Sequence, residues 1–136
     1  MTLYYKIKNA WRDLTYDFRT RCQRFKRGYS YGDVWDMDIW FKSTVKPMLI
    51  YLRDHGIGMP GELYNEDEDT RKPWEDILTE MINCLELMDE DNAQKHVGVT
   101  DDDHSFESWE RVYACMDSNK NRFFELFSKY FYSLWD

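Results

Sequence analysis

Residues 73–88, PWEDILTEMINCLELM, carry the clearest structural signal in the chain. Trp74, Ile77, Leu78, Met81, Ile82, Leu85 and Met88 recur at helical spacing, so they share one face of a 3.6-residue helix. Pro73 suits the first turn, where its missing N–H is no loss. Glu75 and Asp76 follow near the positive end of the helix dipole. A half-buried strand needs apolar and polar residues to alternate, and no segment does so. The expected fold class is all-α.

Upstream lies GIGMPGELYNEDEDTRK, residues 56–72, read as a long loop punctuated by Gly56, Gly58, Pro60 and Gly61. Before it, a helix starts at Ser30, a candidate N-cap with Asp33 three residues on. Its expected buried stripe is Val34, Met37, Phe41, Val45, Met48, Leu49 and Leu52, with a kink or break at Pro47 and an end at Gly56. The first helix shows Tyr4, Ile7, Trp11, Leu14, Phe18 and Phe25 at alternating spacings of three and four. Arg21 stands at the one missing seam position. That helix should end at Gly28, with Arg24, Lys26 and Arg27 at its negative pole.

Downstream, residues 89–104 read as a second polar connection. Ser105 can cap a last helical region whose apolar face runs Phe106, Trp109, Val112, Tyr113 and Met116. It resumes at Phe123, Phe124, Phe127, Phe131, Leu134 and Trp135. Turn-forming residues from Asp117 to Asn121 interrupt it, which allows for two helices here in place of one. The architecture expected is a four- to five-helix bundle, one domain over residues 1–136, with acidic loops at about 56–72 and 89–104.

A chain of 136 residues can bury one real core without staples. Aromatic content of 18% is high, and such side chains either fill a core or make an interface; the core is the default for any one of them. Cys22, Cys84 and Cys115 are odd in number and form no CxxC pair, which points to free thiols in a reducing cytosol. No window approaches the ~20 apolar residues of a membrane span. A cytoplasmic protein with no membrane partner is expected. Net charge is −8, unevenly placed: residues 1–32 hold eight Lys or Arg against two Asp, and residues 62–110 hold three against seventeen Asp or Glu. Phosphate would repel most of such a surface, which argues against general nucleic-acid binding and leaves only a local basic face.

No phosphate loop, HExxH or GxSxG signature occurs, so no catalytic residue, metal site or cofactor is expected. Asp117, Asn119 and Asn121 match the first positions of a calcium loop, but Arg122 stands where glycine is required. Asp38 leans toward an apolar stripe, and its expected partner is Arg21, since a lone buried carboxylate is costly. The candidate binding residues are Arg21, Arg24, Lys26, Arg27, Tyr29, Tyr31 and Trp35, which join phosphate-pairing groups to stacking faces. The plainer reading of that corner is a cationic helix end facing acid in the same molecule or a second subunit. Glu66, Asp67, Glu68, Asp69, Asp101, Asp102 and Asp103 form a candidate acidic interaction surface.

FKRGYSYGDVWDMDIW, MLIYLRDHGIGMPGEL, PWEDILTEMI and ELFSKYFYSLWD, in this order, resemble a group of small phage and prophage proteins. The shared features are an aromatic-Lys-Arg-Gly-aromatic turn, a Trp-Asp-x-Asp helix start, a glycine–proline loop and a closing aromatic-Leu-Trp-Asp. The resemblance runs from about Trp11 to the end and is looser at NEDED and DNAQKHVGVTDDD. It implies an accessory protein in the cytoplasm of a bacterial host and transfers no functional residue. The leading expectation is a non-enzymatic binder of a host or phage protein, such as an anti-CRISPR-like inhibitor of a defence nuclease. The alternatives are a sponge for a nucleotide signal at the basic corner and a replication or assembly factor. The same features are compatible with a homodimer.

Overall fold

A computed structural model of the chain describes residues 3–66 and 70–135. The protein is an all-α bundle. Its helices are α1 (Leu3–Arg27), α2 (Tyr31–Trp35), α3 (Met37–His55), α4 (Lys72–Leu87), α5 (Glu90–Val97) and α6 (Phe106–Lys129), with short 3-10 turns at Gly61–Leu63 and Phe131–Ser133. Two compact units, residues 1–43 and 44–136, divide inside α3.

The second unit holds the apolar core. Trp74, Leu78 and Met81 of α4 meet Val112 and Phe123 of α6, all five with no exposure, and Ala93 of α5 closes in beside them. Leu49 and Leu52 supply α3's share. Trp74 and Tyr130 pack edge to face with ring centroids 5.4 Å apart. Ion pairs lace the rim: Arg122 of α6 forks onto Glu80 of α4, and Lys46 of α3 reaches Glu86 of α4 at 2.8 Å. Arg71 donates to the Gly58 and Leu52 carbonyls, tying the end of α3 to the start of α4. Gly56 sits in that knot, where a Cβ would lie 2.4 Å from the Leu52 oxygen.

Three expected loops or breaks are corrected here. The connection after residue 88 contains α5, capped by Asp89 accepting from the Asn92 N–H and stopped by Gly98 at φ 73°. It buries only Ala93, so it has almost no apolar stripe to betray it. The region from Asp117 to Asn121 lies inside an unbroken α6. There Asn119 donates to the Cys115 carbonyl one turn back and Lys120 pairs with Asp117, so the helix absorbs the turn-forming side chains. Pro47 lies within α3 and does not end it. The helix expected from Ser30 is instead interrupted at Asp36, between α2 and α3.

The first unit is built differently. Its buried residues are Ser30 and Asp33, while α1 buries none of its side chains. The expected stripe of α1 stands in solvent: Trp11 is 65% exposed, Leu14 64% and Phe18 70%. The helix α2 is five residues, roughly 7 Å long, and cannot cover a 25-residue helix of roughly 37 Å. Val34 and Met37, expected in a buried stripe, are also exposed. Asp38 is exposed and pairs with Lys42 one turn along its own helix at 3.5 Å, not with Arg21, because the nearer cation needs no second element.

Candidate functional site

The turn between α1 and α2 brings four of the candidate binding residues together. Gly28, at φ 81°, ends α1 and turns the chain. Ser30 and Asp33 then form a reciprocal capping box. Asp33 accepts from the Ser30 N–H at 2.7 Å and from Arg24 Nε and Nη2 at 2.9 and 2.6 Å. The Arg24 guanidinium, helped by Ser30, holds the Asp33 carboxyl well below the usual carboxylate range, and Asp33 in turn raises Arg24. Arg24 is thus engaged in the architecture of the turn.

Arg27 is placed differently. Its guanidinium stacks over Tyr29 and Tyr31, 4.7 and 4.2 Å from the ring centroids, and its Nε donates to the Tyr29 carbonyl at 3.1 Å. The bond and charge of Arg27 lower the Tyr31 hydroxyl from its ordinary value. A hollow of about 450 Å³ opens here between Arg27, Tyr29, Asp33, Val34, Met37 and Trp40. Arg21 lines a separate hollow with Leu14, Asp17 and Phe18, while Lys26 and Trp35 are exposed and line neither.

The acidic candidates fall into three groups. Glu66, Asp101 and Asp102 are exposed, and Asp67, Glu68 and Asp69 lie outside the described residues. Asp103 is turned inward to α6. It accepts from the Ser105 N–H at 3.0 Å and from the Ser108 hydroxyl, while the Ser105 hydroxyl accepts from the Ser108 N–H. The two serines lower the Asp103 carboxyl to about 2.

A third feature joins residues of two expected apolar stripes. In the second unit, α3 and the end of the chain form an apolar groove of about 610 Å³. Val45, Met48 and Tyr51 make one wall, and Phe127, Phe131 and Trp135 the other. Tyr51, Met48 and Trp135 are more than 60% exposed, and Phe127 meets Phe131 edge to face at 5.5 Å. Among the described residues, no charged side chain lines the groove. Helical spacing could show that these residues share a face. Only the three-dimensional packing shows that Leu126 and Tyr130 are buried at the end of α6 while Phe131 and Trp135 beyond it stay exposed.

Among the described residues, no group of three or more His, Cys, Asp or Glu is placed to hold a metal ion, and no helix is long and apolar enough to cross a membrane. Comparison with protein families, curated proteins and solved structures finds no match.

Proposed function

We propose that this protein is a phage-type accessory factor that works by contact with another protein, as a non-enzymatic inhibitor of a host defence nuclease. The observation that carries this reading is the apolar groove walled by Met48, Tyr51, Phe131 and Trp135. A wide, apolar, aromatic-rimmed concavity suits the apolar face of a partner segment, and aromatic anchors supply much of the energy of such contacts. The exposed acid at Glu66, Asp101 and Asp102 would favour a basic partner, such as the groove in which a nuclease holds nucleic acid. The resemblance to small phage proteins supports the defence setting. The test is co-elution with purified guide-loaded nuclease complexes of the bacterial host. Binding by the native protein and its loss in Met48→Asp are expected; binding unchanged by Met48→Asp refutes the groove.

A second reading draws on Arg27 between Tyr29 and Tyr31 beside the 450 Å³ hollow, which could stack and pair a nucleotide. Arg24 already answers Asp33, so this corner offers less free cation than its composition suggests. Thermal-shift titration with cyclic nucleotides tests it. Stabilisation that disappears in Arg27→Ala supports a sponge, and no stabilisation at saturating ligand rejects it.

A further inference from the structure

We propose that α1 is a dimerisation element that pairs antiparallel with the α1 of a second copy of this chain. The stripe Tyr4, Ile7, Trp11, Leu14, Phe18, Arg21 and Phe25 follows the three–four alternation of a coiled-coil seam over more than three heptads. A seam this narrow, with few apolar flanking positions, suits one facing helix better than a broad apolar environment. Every one of its apolar members stands at 50% exposure or more, and α1 buries none of its side chains.

The seam's one polar member sets the orientation. Alignment about a dyad at Tyr16 layers Leu14 on the partner's Phe18, Ile7 on the partner's Phe25, and Arg21 on the partner's Trp11. Each arginine then meets an indole face, a cation–π contact. A parallel pair would set Arg21 against the partner's Arg21 and bring both basic ends, Arg19 to Arg27, side by side. Antiparallel pairing sets Arg21 about 15 Å along the axis from the partner's Arg21. The area is sufficient. Half-burial of Tyr4, Trp11, Phe18 and Phe25 on both copies removes roughly 600–1,000 Å², taking ~150–250 Å² per aromatic side chain. Ile7 and Leu14 bring the total into the range of the ~1,000 Å² that a specific interface requires.

Sedimentation equilibrium of the full chain is expected to give twice the 16.7 kDa of the monomer. Leu14→Asp should return it to monomer with its helical circular dichroism retained, since Leu14 lies in no core. Orientation is read by spin labels at Lys6→Cys in a chain whose own cysteines are serines. Antiparallel pairing sets residue 6 opposite the partner's residue 26, so the labels should lie about 30 Å apart along the axis at 1.5 Å per residue. A monomeric native chain, or a Leu14→Asp dimer, overturns the proposal. A label separation under 20 Å overturns the antiparallel arrangement. A native monomer that floats with anionic phospholipid vesicles, and ceases to in Leu14→Asp, would assign the stripe to a lipid surface instead.

Discussion

Arg24 and Asp33 divide the turn between α1 and α2 into a cation that reaches across and a carboxylate that receives it. Asp33 is 8% exposed and takes its bonds from Ser30 and Arg24. Arg24→Ala would leave that carboxylate without its cation, and a lower melting temperature at neutral pH is expected by circular dichroism. The deficit should narrow in acid, where Asp33 is protonated in both proteins. Asp103 allows a sharper pH test. Its carboxyl falls from an unfolded value near ~3.9 to about 2 through the hydroxyls of Ser108 and Ser105. A lowered carboxylate adds stability above the unfolded pKa and loses it as pH falls through the folded one. Asp103→Ala should therefore melt lower than the native protein at pH 5 and above, with the gap closing as pH falls from about 4 to about 2. A gap that is constant across that range would contradict the assignment. Among the thiols, Cys84 is raised by burial and is 5% exposed, while Cys22 and Cys115 are half-buried. Maleimide labelling of the native protein should reach Cys84 last.

The indole of Trp74 anchors the helix pair α4–α6. It is fully buried, yet its Nε1–H finds no acceptor among the described residues. Trp74→Ala should cost about 3–5 kcal/mol in denaturant unfolding, as for other buried aromatics. Trp74→Phe should cost distinctly less, because it fills most of the space and removes an orphan donor. Equal losses would show that Nε1–H has a partner. This helix was fully legible because its stripe obeys one period and is buried along its length. The shorter α5 was not: it has a cap at Asp89, acid in its first turn, Lys95 and His96 in its last and Gly98 after it, but only Ala93 to bury. The signal that could have found it was capping chemistry. Gly98 holds φ 73°, and Gly98→Ala should destabilise by about 1 kcal/mol. Asp117 to Asn121 misled in the opposite direction. Their turn preference is weak beside the packing of Val112, Phe123 and Leu126, which fixes one continuous α6.

At the level of the whole chain, periodicity revealed that faces exist without revealing what covers them. The stripe of α1 and that of α4 look alike as sequence. One is solvent-exposed and the other forms the core, and the difference lies in whether another element of adequate length packs on it. The high aromatic content is resolved in the same way. Trp74, Phe123 and Tyr130 fill the second unit, whereas Trp11, Phe18, Tyr51 and Trp135 remain at surfaces. The site was thus half legible: Arg27, Tyr29 and Tyr31 gather as their spacing suggested, while Met48, expected in a buried stripe, is exposed at the groove. The exposed aromatic area and the apolar groove support the proposal that the protein acts by binding. The direct test is target-DNA cleavage by guide-loaded host nuclease, titrated with native protein and with Trp135→Asp. Stoichiometric inhibition by the native protein, lost in the variant, is the predicted result. Undiminished cleavage at excess native protein, or equal inhibition by Trp135→Asp, would contradict it.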